Sequence, residues 1–195
     1  WRVTDINSGS SDSNPGRSSP AGYYMSILVG DTLYFPADDG TTGRELWAHD
    51  TSNHSTWQVE DIYSGSSGSS PGYYMSTLVG DTLYFCAWDG TTGRELWAHD
   101  TSNHSTWQVA DINSGSGTSY PGSHMALLVG DTLYFSADDG STGNELWAHD
   151  TSNLSTWRVT DINSGSSDSN PGRSSPAGYY MSILVGDTLY FPADD

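Results

Sequence analysis

Large apolar residues alternate with polar ones in short runs, and the runs come in a fixed succession. Tyr73-Tyr74-Met75-Ser76-Thr77-Leu78-Val79 leads through Gly80-Asp81 into Thr82-Leu83-Tyr84-Phe85-Cys86-Ala87. Two β-prone runs joined by a turn dipeptide predict a hairpin. After Asp89-Gly90-Thr91-Thr92-Gly93 comes Glu95-Leu96-Trp97-Ala98-His99. After Thr101-Ser102-Asn103-His104-Ser105 comes Thr106-Trp107-Gln108-Val109-Ala110-Asp111-Ile112. Both read as further strands by their period of two. No window of ten residues carries a helical period, and Gly, Pro and Ser punctuate every connection, so the expectation is an all-β chain with essentially no helix.

The succession is a tandem repeat. Gly-Arg-Glu-Leu-Trp-Ala-His-Asp occupies 43–50 and 93–100, and Gly-Asn-Glu-Leu-Trp-Ala-His-Asp occupies 143–150. Val-Gly-Asp-Thr-Leu-Tyr-Phe recurs at 29–35, 79–85, 129–135 and 185–191. The period is 50 residues, lengthened to 56 where the Asp168-to-Ala177 loop carries six more. Residues 157–195 repeat 1–39 without change, so a 156-residue unit spans 1–156 and restarts at 157–195. Four short antiparallel strands in about 50 residues match one propeller blade. The expected fold is therefore a tandem array of four-stranded antiparallel blades, β-propeller-like. A β-solenoid is the alternative, but its rungs are usually shorter and do not reverse within one repeat.

Ala-Asp-Asp-Gly-Thr-Thr-Gly-Arg-Glu-Leu-Trp at 37–47, Asp-Ile-Asn-Ser-Gly-Ser at 111–116, Pro121-Gly122 and Leu-Val-Gly-Asp-Thr-Leu-Tyr-Phe at 128–135 resemble the ELWxxDGTxAGT-type repeats of bacterial and archaeal extracellular proteins. The resemblance runs over the whole chain. It implies a propeller-like architecture and a place at the cell surface or outside the cell, and it implies no reaction. The departure follows Trp47: Asp50-Thr51-Ser52-Asn53-His54-Ser55-Thr56 stands where the family pattern has a glycine-containing turn.

Charge narrows the partners. Asp and Glu number 24 against 6 Lys and Arg, for a formal charge of −18, and every cation is Arg. The phosphate-neutralising cations that nucleic acid demands are missing, and no stretch is long and apolar enough to span a membrane as a helix. An Asp-rich, Lys-free surface is like that of proteins from saline environments, where salt screens like charges; a secreted, Ser/Gly-rich chain that needs few charges reads the same way. Cys86 is the sole cysteine, so no internal disulfide framework exists; Pro36, Ser136 and Pro192 hold its place elsewhere, which predicts a tolerated variant rather than a nucleophile.

Few residues invite chemistry. Asn53-His54-Ser55, Asn103-His104-Ser105 and Asn153-Leu154-Ser155 are N-glycosylation acceptors in register, although duplication of one accidental triplet would look the same. Asp38, Asp39, Asp138 and Asp139 form oxygen-rich pairs that are weak calcium candidates, against the plainer reading of solvated turns; no other cofactor is expected. The Asp5-x-Asn7-x-Gly9 and Asp161-x-Asn163-x-Gly165 stretches lack the terminal Glu of a calcium loop. His49, His99 and His149 each precede Asp, but neighbours on a strand face opposite ways. The recurrent Trp47, Trp97 and Trp147 are expected at equivalent buried positions between blades. Tyr23, Tyr24, Tyr73, Tyr74, Tyr179 and Tyr180, beside Pro/Gly-rich loops, are candidates for stacking on sugar rings.

A catalytic site needs different residues in distinct roles, and here nearly every polar group is repeated, so no enzyme is expected. The leading expectation is a structural or adhesive extracellular repeat protein, a segment of a filament or long cell-surface fibre, whose partners are copies of itself joined head to tail, with glycans a further class. A carbohydrate-binding propeller lectin is the alternative. The ends point the same way: the chain opens on a strand that elsewhere closes a repeat and stops after a hairpin, so the reading expects one stretch of a polymer.

Overall fold

The computed structural model describes residues 2–18, 24–174 and 179–195. Three four-stranded antiparallel sheets follow one another along the chain. The first is β1 (Ile27–Val29), β2 (Thr32–Asp38), β3 (Arg44–Asp50) and β4 (Thr56–Glu60), in that spatial order. The second is β5 (Ser76–Val79), β6 (Thr82–Trp88), β7 (Arg94–Asp100) and β8 (Ser105–Ala110). The third is β9 (Ala126–Val129), β10 (Thr132–Asp138), β11 (Asn144–Asp150) and β12 (Ser155–Thr160). Two small sheets close the chain, β13 (Arg173–Ser174) with β14 (Tyr179–Tyr180) and β15 (Ile183–Val185) with β16 (Thr188–Tyr190). Each repeat forms its own meander, which is the expected blade; rungs shared between repeats, as in a solenoid, are not what pairs. Among the described residues there is no helix, and so none that could cross a membrane.

Local sequence explains the meander. Val29 pairs Thr32 across the two-residue loop Gly30-Asp31, and of the two only Gly30 has a positive φ, 57°. That is the requirement of a type II′ turn, whose twist suits the flanking strands. β2 and β3 pair from Thr32↔Asp50 to Asp38↔Arg44, and β10 and β11 repeat this register residue for residue. β3 and β4 slip by one between Leu46 and Trp47, as do β11 and β12 between Leu146 and Trp147, so the bulge belongs to the repeat.

The chain divides into two compact units, Trp1–Thr91 with Leu96–Gln108, and Thr92–Glu95 with Val109–Asp195. In the first, a core joins consecutive repeats: Tyr34, Leu46 and Ala48 of one sheet share a cluster with Leu83, Phe85 and Ala87 of the next, capped by Met25 and Ile62. Gly72 is indispensable there, because a Cβ would sit 2.7 Å from the Met25 Cβ. In the second unit Gly172 meets Met125 in the same way, again at 2.7 Å. Trp47, Trp97 and Trp147 do occupy equivalent positions but are only half-buried, whereas the Glu and Leu that precede each of them are buried. Glu45, Glu95 and Glu145 are fully buried.

Candidate functional site

That buried carboxylate, to which the sequence reading assigned no role, is hydrogen-bonded in the same way in all three repeats. Glu95 Oε2 accepts from the Ile112 backbone N–H at 2.8 Å and the Ser119 hydroxyl at 2.7 Å, and Oε1 accepts the Ser119 backbone N–H at 3.0 Å. Glu45 takes the same three donors from Ile62 and Ser69, and Glu145 from Ile162 and Ser169. Each Glu thus reaches from the third strand of one repeat into the loop that opens the next. The loop is held in shape by a left-handed residue after the Ser, with φ of 51° at Ser70, 52° at Tyr120 and 49° at Asn170. Burial pushes the carboxyls of Glu45 and Glu95 up to about 7, against the pull of the Ser and Ile donors. The signal in the sequence was the joint recurrence of Glu before Leu-Trp and of Ser before the Pro-Gly loop.

The other end of the same strand carries the sequons. Asn53 is exposed on the turn after β3; its Nδ2 donates to Asp50 Oδ2 at 2.7 Å and its Oδ1 accepts the Ser55 N–H at 2.8 Å. Asn103 and Asn153 repeat the arrangement with Asp100 and Asp150. Hydrogen bonds from the Ser52 hydroxyl and N–H lead in holding the Asp50 carboxyl below the usual range. The middle residues, His54, His104 and Leu154, sit at φ of 62°, 60° and 62°, so the turn is built without the glycine of the resembled family. All three acceptor asparagines are therefore solvent-exposed and identically presented.

The carboxylate pairs serve turns. Asp38 Oδ1 accepts the Gly40 N–H at 2.8 Å, and Asp39 collects both the N–H and hydroxyl groups of Thr41 and Thr42. Burial alone would raise Asp39, but those bonds outweigh it and hold the carboxyl at about 2. Asp138 and Asp139 do the same with Gly140, Ser141 and Thr142. Among the described residues no group of three or more His, Cys, Asp or Glu is placed to hold a metal ion.

The histidines face away from their Asp neighbours in hydrogen bonding: Nδ1 of His49, His99 and His149 meets the hydroxyl of Thr56, Thr106 and Thr156 at 2.7, 2.9 and 2.9 Å. Burial, helped by the His104 charge, lowers His99 to about 4. Tyr73 and Tyr74 pack on each other edge to face with centroids 4.5 Å apart, and Tyr24 is 70% exposed. Tyr179 and Tyr180 form β14, and Tyr23 lies outside the described residues. In the first unit a polar groove of about 770 Å³ lies beside the sequon turn, lined by Tyr34, Trp57, Asn53, Asp81 and His104 among others.

No family model and no curated protein matches this sequence. Among solved structures the chain is similar to a puromycin-hydrolysing peptidase of Mycobacterium tuberculosis, with 11% identity, a TM-score of 0.52, and coverage of 82% of this chain and 25% of that one. It is similar to puromycin hydrolase, at 12% identity, a TM-score of 0.50, and coverage of 90% and 28%. The AtxE2 isopeptidase gives 11%, 0.50, and 71% and 20%. The chain spans about a quarter of the length of these peptidases, and at such identities the likeness is one of fold: tandem antiparallel sheets, propeller-like.

Proposed function

We propose that the chain is a structural or adhesive repeat protein outside the cell, a segment of a filament or long surface fibre whose partners are further copies of itself. The observation that carries this reading is the buried Glu, which makes the same three hydrogen bonds at successive repeat junctions. A polar group spent identically at three successive junctions serves extension of an array, whereas catalysis needs unlike groups converging once. The exposed sequon turns fit an extracellular setting, with Asn53, Asn103 and Asn153 as glycan carriers. Electron microscopy and sedimentation of the purified chain test the proposal: elongated particles that lengthen with concentration are expected. A compact, monodisperse monomer retained on a glycan column would overturn it in favour of a lectin, a reading that the aromatic lining of the Tyr34 and Trp57 groove supports. The role is proposed to be non-enzymatic in spite of the peptidase-like fold, so incubation with puromycin should leave it intact.

A further inference from the structure

The buried Glu45 fastens one end of the junction between the first two repeats, and the Asn53 turn lies at the other end of the same strand. That other end is open. The groove of about 770 Å³ runs there between the two repeats, within the first unit. One wall belongs to the first repeat and carries Tyr34, Asn53 and Trp57; the other belongs to the second and carries Asp81, Thr101 and His104. Its size falls among small-molecule sites, which span roughly 300–1,000 Å³.

Asn53 stands in that wall with one amide hydrogen unused. A side-chain amide has two N–H donors. One goes to Asp50 Oδ2 at 2.7 Å, and among the described residues nothing takes the other. Oδ1 accepts the Ser55 N–H at 2.8 Å, so the amide is oriented from both sides. A substituent on Nδ2 therefore replaces the unused hydrogen and leaves both bonds in place. Trp57, four residues on, packs against the core of the unit and also lines the groove. From the facing repeat, Asp81 gives its backbone carbonyl to the Thr101 N–H and hydroxyl at 2.8 Å each, while among the described residues nothing donates to its exposed carboxylate. An aromatic face and an unused carboxylate are what a sugar ring pairs with, the first through its C–H face and the second through its hydroxyls.

We infer that this groove holds the first sugars of a glycan carried by Asn53, which bridges the two repeats by packing on Trp57 and donating to Asp81. The inference rests on the reading of Asn53 as a glycan carrier and gives that glycan a seat. Attachment forms a bond from Nδ2 to the sugar C1 as a glycosyltransferase breaks the C1–O bond of a glycosyl diphosphate donor; the diphosphate leaves with the electron pair and the amide proton passes to a base. The tether holds the ring at an effective concentration of roughly millimolar, so a groove of only millimolar affinity is filled in large part. A free oligosaccharide is the other source of the same chemistry, and it must reach that concentration in solution.

The test uses the full chain made in a eukaryotic host that roots its N-glycans in N-acetylglucosamine, with hydroxyl-radical oxidation of Trp57 read by mass spectrometry. With the glycan on Asn53, Trp57 should be oxidised about fivefold more slowly than in Asn53→Gln. Asp81→Ala, on an exposed turn, should keep the glycan and the parent circular dichroism and lose most of that protection. Equal oxidation with and without the glycan overturns the inference and leaves Asn53 a carrier whose sugars stand in solvent. Protection that survives Asp81→Ala is shielding by a solvated glycan and overturns it too. An Asn53 left bare, as read by intact mass, overturns both the inference and the carrier reading. Protection of the Asn53→Gln chain by millimolar N,N′-diacetylchitobiose, with none from the attached glycan, overturns it in favour of a lectin.

Discussion

Glu45 and Asp50 stand five residues apart on one strand, both saturated with hydrogen bonds from Ser, and their acidities diverge. Glu45 is taken out of water, and burial raises its carboxyl to about 7 although three donors oppose the shift. Asp50 stays in solvent, and similar donors from Ser52 lower it. Full burial decides the sign at Glu45, whereas at Asp50, as at the partly buried Asp39, the hydrogen bonds outweigh it. The buried end joins repeats, and the exposed end shapes a turn that other residues can replace.

The largest test of that contrast is Glu95→Ala. It leaves the Ile112 N–H buried without an acceptor and both Ser119 donors with only the Arg94 carbonyl, at a cost of about 2 kcal/mol in urea denaturation. Asp100→Ala, which strips an equally well-bonded but exposed carboxylate, should cost clearly less in the same assay; equal losses would break the comparison. A second test uses pH. Glu45 and Glu95 titrate near 7 when folded and near 4.5 when unfolded, so between those values the folded chain holds protons that the unfolded one has lost, and their contribution to stability falls as pH rises. His99 runs the other way: depressed from 6.5 to about 4, it contributes stability that is lost as pH falls through that window. Glu45→Gln with Glu95→Gln removes the first slope, so denaturation midpoints should rise more steeply from pH 4.5 to 6.5 than in the parent chain. An unchanged pH profile would contradict the buried assignment.

At the exposed end His104→Gly relieves a left-handed residue and keeps the Asn103 acceptor triplet, for an expected gain of about 0.5–1 kcal/mol. Smallest of all is Cys86→Ser, in the buried half of its sheet. Ser136 occupies the equivalent place, where its hydroxyl accepts the backbone N–H groups of His124 and Met125. A change in melting free energy under about 1 kcal/mol is expected.

Strand content and order were legible because the cues are local: Val-Gly-Asp-Thr turns, alternating runs, and Gly-rich breaks. The half-burial of Trp97 and full burial of Glu95 were not, because the two share one face of β7, and alternation does not say that the next repeat's Ile112-to-Ser119 loop covers that face at Glu95. The bulge between Leu46 and Trp47 also shifts the pairing within the strand. The four hydrogen bonds that Asp39 collects from Thr41 and Thr42 were not legible either, because they form only once the loop is folded.

Near-identical strands in one register also set a problem of choice during folding. β3 and β7 share the sequence Arg-Glu-Leu-Trp-Ala-His-Asp, so β2 can zip with either at equal enthalpy. What separates them is the chain between: residues 39–43 must close for the native partner, residues 39–93 for the mistaken one. The roughly elevenfold difference in loop length favours the local choice by about 2 kcal/mol of closure entropy. Correct assembly of so repetitive a molecule thus rests on the shortness of its Asp-Gly loops, and inserting flexible residues between Asp38 and Arg44 would erode kinetic fidelity before it eroded stability.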